Sequence, residues 1–129
     1  MKKILILEDE VIILELLTKK LQREGYEVKT AQNGKEGLAM MEKEVPDLVL
    51  TDVIMPEKDG FDVILEMKQN ELLKNVPIII ISNSGQPVEI DRAKELGVDD
   101  WVIKTDFDPQ EIVQKVQQVL AKTSPQGEV

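Results

Sequence analysis

Four apolar runs in the chain end on residues that can do chemistry. "KILIL" (3–7) runs into Glu8, Asp9 and Glu10, and "LVLT" (48–51) runs into Asp52. "PIIII" (77–81) ends on Ser82 and "DWVI" (100–103) on Lys104. An unpaired carboxylate at the edge of a hydrophobic core is costly, so each of these acids needs water, a cation or a role. If the four ends meet, three carboxylates repel one another unless a hard cation or a lysine sits among them. The chain has no His and no Cys. That removes the commonest general base, thiol chemistry and the usual zinc ligands. An oxygen-only donor set suits Mg²⁺. A carboxylate, a hard cation, an ammonium and a hydroxyl together suit phosphoryl transfer, with Asp52 as the nucleophile. Taken singly, the same residues are bland. "LEDE" (7–10) fits a solvated helix N-terminus, Lys104 a surface lysine, and Ser82 or Ser84 a turn. The joint reading depends on the elements that carry them.

Those elements alternate. Apolar or alternating runs predict strands at 3–7, 26–30, 47–51, 77–82 and 100–104. Between them the period turns helical. Ile13, Leu14, Leu17 and Leu21 share one face of a helix over 10–24, which Gly25 stops. Asn33 caps a helix reaching Glu44, with Pro46 beyond it. A helix over 59–71 carries Phe61, Ile64, Leu65 and Met67, and a weaker one spans 87–96. Asp108 and Pro109 open the last helix, with Ile112, Val113, Val116, Val119 and Leu120 along one side. Met55–Pro56 and Asp59–Gly60 are turn chemistry, and Gly60 is expected to supply a backbone conformation that other residues resist. Five strand–helix units imply a parallel sheet covered on both faces. They are too few for an eight-stranded barrel, so a doubly wound α/β sheet follows. In such sheets sites form at the carboxyl ends of the strands, where the four runs deliver their polar residues.

Composition narrows the function classes. A length of 129 residues suits one domain with one core, and 3% aromatic content makes that core Ile, Leu and Val. A formal net charge of −9 repels phosphate backbones, so direct nucleic-acid binding is not expected. The apolar run after Met1–Lys2–Lys3 is too short for a signal peptide or a membrane span, which predicts a soluble cytoplasmic protein.

With "LED" after strand 1, "TDVIMPEKDGF" after strand 3, Ser82 after strand 4 and "DDWVIK" at strand 5, the sequence resembles the receiver domain of bacterial response regulators over about residues 2–121. The resemblance implies a flavodoxin-like five-stranded sheet of order 2-1-3-4-5. It implies a receiver domain over 1–122, followed by a polar tail, 123–129, that favours a stand-alone protein. It implies that a histidine kinase or histidine phosphotransfer protein phosphorylates Asp52 in a Mg²⁺-dependent reaction. Asp9 and Asp52 would ligate the metal directly, Glu8 through a water, and the backbone carbonyl of Ile54 would complete the protein ligands. Lys104 would pair with Asp52 and then with a phosphate oxygen. Ser82 would move toward the phosphoryl group, and Trp101, where relatives usually carry Tyr or Phe, would change rotamer with it. That would remodel the surface of helix 4, strand 5 and helix 5 for a downstream protein target. Helix 1 would dock the phosphoryl donor, and its outward Ile12 and Leu16 are candidates for that contact. The polar outer face of helix 5, with Gln114, Lys115, Gln117 and Gln118, suggests a monomer or a weak phosphorylation-dependent dimer.

Two departures from the family pattern carry consequences. Thr105 follows Lys104 where proline, joined by a cis peptide, is usual. A cis bond before a non-proline residue costs roughly 2.5–4 kcal/mol, so a trans bond and a rerouted loop to Phe107 are expected. Ile54 and Ser84 occupy the positions that flank the path of hydrolytic water, and an Ile54 side chain cannot hold that water. A long-lived phosphorylated state is therefore expected. Three other functions use similar parts. A phosphatase with an aspartate nucleophile commonly has a second acid where Ile54 stands. A flavin carrier needs a hydroxyl- and glycine-rich loop after strand 1, where "LEDE" repels phosphate. A receiver-like binding module that is not phosphorylated is opposed only by the intact set Asp9, Asp52, Ser82 and Lys104.

Overall fold

The computed structural model describes residues 1–83, 86–104 and 108–123. Ser84, Thr105, Phe107 and the tail beyond 123 lie outside them, as do the expectations placed on those residues. Five strands and five helices alternate: β1 Lys3–Leu7, α1 Val11–Arg23, β2 Glu27–Ala31, α2 Gly34–Lys43, β3 Leu48–Asp52, α3 Gly60–Lys68, β4 Ile78–Ser82, α4 Pro87–Glu95, β5 Asp100–Ile103 and α5 Pro109–Thr123. The strands form one parallel sheet of order β2-β1-β3-β4-β5, as the resemblance implied.

Side chains alternate across each strand, so each continuous apolar run feeds two cores. Ile4, Ile6, Leu48, Leu50, Ile79 and Ile81 face Leu14, Leu17 and Leu21 of α1 and the apolar stripe of α5. Leu5, Leu7, Val49, Ile78 and Ile80 face Met41 of α2, Val63, Ile64 and Met67 of α3, and Ala93 of α4. Burial on both faces is why β1, β3 and β4 read as unbroken apolar segments rather than alternating ones.

Local signals set the ends of the elements. Gly25 takes φ +95° after α1, and Asn33 Oδ1 accepts from the Glu36 N–H at 2.8 Å to cap α2. Asp108 Oδ1 accepts from the Gln110 N–H at 2.9 Å at the start of α5. Helix α3 ends at Lys68, three residues before the apolar period predicts. Asn70 Oδ1 accepts from the Leu72 N–H at 2.8 Å and turns the chain instead. Leu65 is exposed, and Val63 takes its expected place in the core. At the amino edge of the sheet, acids satisfy strand backbone: the Lys3 N–H donates to Asp47 Oδ2 at 2.7 Å and the Ile78 N–H to Asp99 Oδ2 at 2.8 Å. The acids at the carboxyl edge do something else.

Candidate functional site

Sheet register assembles the site. Leu7 pairs with Thr51, so Glu8 and Asp52, one residue further on, emerge side by side. Asp52 pairs with Ile81, which puts Ser82 just past it, and Ser82 pairs with Ile103, which puts Lys104 just past that. The Lys104 backbone N–H donates to the Ser82 carbonyl at 2.7 Å and fixes the last step. A one-residue slip anywhere in this ladder would turn a functional side chain to the other face.

The lysine is the hub. Lys104 Nζ lies 2.8 Å from Asp52 Oδ2, 3.0 Å from Glu8 Oε2 and 3.3 Å from Glu10 Oε2. Glu8, Asp52, Ser82 and Lys104 are all buried, while Asp9 is exposed at the mouth. The Val53 N–H donates to Asp52 Oδ1 at 2.7 Å and the Glu10 N–H to Glu8 Oε2 at 2.9 Å. Burial pushes the Glu8 carboxyl above the usual carboxylate range, and the nearby Asp52 charge adds to this. The Glu10 N–H and Lys104 only partly offset it. Burial alone would lower the Lys104 pKa, but its hydrogen bonds to Asp52 and Glu8 prevail and hold it above the ordinary lysine value. The ammonium is therefore locked in its charged form.

Carboxylate oxygens of Glu8, Asp9 and Asp52 lie within 4.8 Å of one another. Glu8 Oε1 is the only buried side-chain oxygen or nitrogen among the described residues without a hydrogen-bond partner in the protein. An orphaned buried oxygen among three carboxylates, with no softer donor nearby, fits a hard divalent cation. Next to these acids an open cleft of about 230 Å³ is lined by Asp9, Glu10, Asp52, Ile54, Ser82, Asn83 and Glu89.

The other expected residues fall as follows. Ile54 stands at the cleft lip with its side chain 79% exposed. Trp101 is partly buried against the α2–α3–α4 core and lines a cavity of about 350 Å³ with Ile90, Ala93 and Val98. Ile12 and Leu16 are 82% and 45% exposed, on the helix that starts at the site. Gly60 departs from expectation. It has no positive φ, and glycine is needed because a Cβ there would meet the Asp52 carbonyl at 2.2 Å. The left-handed residue in this loop is Glu57, at φ +71°. Sequence reasoning also missed Glu10 as a third partner of Lys104. Its place in "LEDE" was the only available signal.

This fold, with an acid cluster and a lysine at the carboxyl ends of its strands, defines a receiver-type signalling module. The chain belongs to the response regulator receiver domain family, whose sequence pattern matches residues 4–117. Such domains are signalling modules of two-component systems that work with histidine kinases and effectors, and they are not turnover enzymes. The chain is 38% identical over 122 residues to the probable transcriptional regulator ycf27 of Cyanophora paradoxa, covering 95% of this chain and 49% of that protein. It is 37% identical over 122 residues to the alkaline phosphatase synthesis transcriptional regulatory protein PhoP of Bacillus subtilis, covering 95% of this chain and 50% of that protein. The chain thus spans about half the length of the curated relatives it matches. The chemotaxis response regulator CheY4 of Vibrio cholerae has a similar structure, with TM-score 0.86 and 31% identity, covering 92% of this chain and 98% of that one. Among the described residues, no helix is long and apolar enough to cross a membrane.

Proposed function

We propose that Asp52 accepts a phosphoryl group from the phosphohistidine of a histidine kinase or phosphotransfer protein. The observation that carries this reading is the buried Lys104–Asp52 contact of 2.8 Å, made at the mouth of an open cleft. An Asp52 carboxylate oxygen attacks phosphorus, the P–N bond breaks, and its electron pair returns to the imidazole nitrogen of the donor. Lys104 holds the carboxylate in place and then offers an N–H to a phosphoryl oxygen. Ser82, buried at the next strand end, offers its hydroxyl to another. Asp9 and Asp52 would hold Mg²⁺, with Glu8 acting through a water and the Ile54 carbonyl completing the protein ligands. When bound, the ion supplies charge stabilisation to the transferring phosphoryl oxygens.

Ser82 and Trp101 couple the site to the surface of α4, β5 and α5. The cavity beside Trp101 gives the indole a place to move, and a downstream protein would read the result. Ile12 and Leu16 on α1 dock the donor, consistent with their exposure on the helix that starts at the site. Replacing Ile12 with Glu should slow transfer from the donor protein while leaving transfer from acetyl phosphate unchanged. A cytoplasmic setting is consistent with a kinase-coupled signalling module. The test is intact mass after incubation with acetyl phosphate and Mg²⁺, with Asp52→Ala as control. A gain of one phosphoryl group in the parent alone supports the reading. No gain, with Mg²⁺ bound, would indicate a receiver-like binding module that is not phosphorylated.

A further inference from the structure

We infer that Glu10 is a positioning residue of this site: it holds Lys104 before phosphoryl transfer and gives it up when Asp52 is phosphorylated. The inference rests on the reading of Asp52 as phosphoacceptor. It adds a link from the site to the first turn of α1.

A lysine ammonium has three N–H donors and no acceptor. Here two of them go to Asp52 Oδ2 and Glu8 Oε2, and the Glu10 carboxylate lies against the ammonium as an ion pair at 3.3 Å. A phosphoryl group brings three strong acceptor oxygens and negative charge to Asp52. The third N–H of Lys104 is free to take a phosphoryl oxygen, and the added negative charge then competes with the ion-paired Glu10 for the ammonium. Glu8 is 1% exposed and cannot leave without stranding a buried charge. The Glu10 side chain is 49% exposed, makes the longest contact of the three at 3.3 Å, and has water waiting for it.

The second observation concerns where Glu10 sits. It is the N-cap residue of α1, yet its side chain makes no capping hydrogen bond, and the first turn of α1 contains no acid. The caps of α2 and α3, Asn33 and Asp59, both accept from their helices. While Glu10 is drawn to Lys104, Glu8 accepts from the Glu10 N–H at this end of α1, but the N-cap side chain leaves the first turn itself uncapped. Once released, the Glu10 carboxylate faces that end. The turn it would then bind carries exposed Val11 and Ile12. Phosphorylation would in this way be signalled on the helix face beside the site as well as on α4 and β5.

Two variants separate the contact from mere charge. Glu10→Gln removes the charge. Glu10→Asp keeps it on a side chain one methylene shorter, which cannot span to Lys104. Phosphorylation by acetyl phosphate with Mg²⁺ is followed by intact mass, and the backbone amide resonances of residues 11–13 are recorded before and after. Both variants should be phosphorylated about two- to fivefold faster than the parent, because a half-exposed ion pair made only before transfer is gone. The parent should show amide shifts at 11–13 on phosphorylation, and Glu10→Gln should lose most of them. Equal rates for all three proteins would overturn the inference. So would an Asp variant that behaves like the parent, since that assigns the effect to charge in the cleft. A parent that gains no phosphoryl group would sink the reading of Asp52 itself, and that result is separate from the comparison among variants.

Discussion

Replacing Lys104 with Met should destabilise the fold in a pH-dependent way. Met preserves the apolar stem but removes the only cation among the described residues within hydrogen-bond reach of two buried carboxylates, Glu8 and Asp52. Breaking a buried pair by removing one partner typically costs about 3–5 kcal/mol, because the remaining charge is left uncompensated. In this variant the folded-state pKa of Glu8, already raised by burial, must rise further once the Lys104 hydrogen bond that offsets it is gone. The folded state then binds more protons than the unfolded state, so stability falls as pH increases. At pH 8 the expected loss is about 3 kcal/mol, at the low end of that range, because protonation offers an escape. With a urea slope of about 2 kcal/mol/M, the midpoint should drop by about 1.5 M. At pH 5 the drop should be clearly smaller. The assay is urea unfolding followed by Trp101 fluorescence and far-UV circular dichroism at both pH values, without divalent cations. A midpoint within 0.3 M of the parent at pH 8, or a larger loss at pH 5 than at pH 8, would refute the reasoning.

Four further outcomes are expected. Mg²⁺ should raise the urea midpoint of the parent, by about 2.7 kcal/mol of stability at a hundredfold excess over Kd, and Asp9→Asn should abolish most of that gain in the same titration. Glu57→Gly should stabilise the protein by up to about 1 kcal/mol, since φ +71° strains a residue with a Cβ, and a lowered thermal midpoint would contradict this. Glu44, paired with Lys3 and Lys29, has its carboxyl held down to about 2, first by the Lys3 hydrogen bond and then by that of Lys29. Its contribution is present above the ordinary value of 4.5 and lost as pH falls from there toward 2, so Glu44→Gln should flatten the acid limb of a stability–pH curve. Ile54→Asn should shorten the half-life of the phosphorylated state, because an amide at the cleft lip can hold a water that Ile54 cannot; an equal or longer half-life counts against that role.

Much of this molecule is legible in its sequence because two-sided burial forces β1, β3 and β4 to be unbroken apolar runs. The residue that ends each run is then marked by a change of polarity. A parallel sheet leaves few topologies, so Glu8, Asp52, Ser82 and Lys104 could be assigned to one edge before any contact was known. What the sequence did not show are properties of register and close approach. Nothing in "KDG" says that a Cβ at Gly60 would strike the Asp52 carbonyl, so the glycine was assigned a backbone role it does not have. Glu57 gave no sign of its left-handed backbone, because that conformation is imposed by the loop around it. The early end of α3 turned on the Asn70 side chain competing for backbone, a contact the apolar period of 59–71 conceals. Glu10 looked like one more acid in a run, and only the position of Lys104 distinguishes it from its neighbours.

The central claim is that Asp52, and no other acid in the cluster, carries the phosphoryl group. Borohydride reduction after incubation with acetyl phosphate and Mg²⁺ tests it most directly, since it converts an aspartyl phosphate to homoserine. Tryptic cleavage yields the peptide 44–58, which contains both Asp47 and Asp52. Homoserine at position 52 of that peptide is the expected result. Homoserine at Asp9 or Asp47, or an unmodified peptide from a protein shown to bind Mg²⁺, would contradict the account.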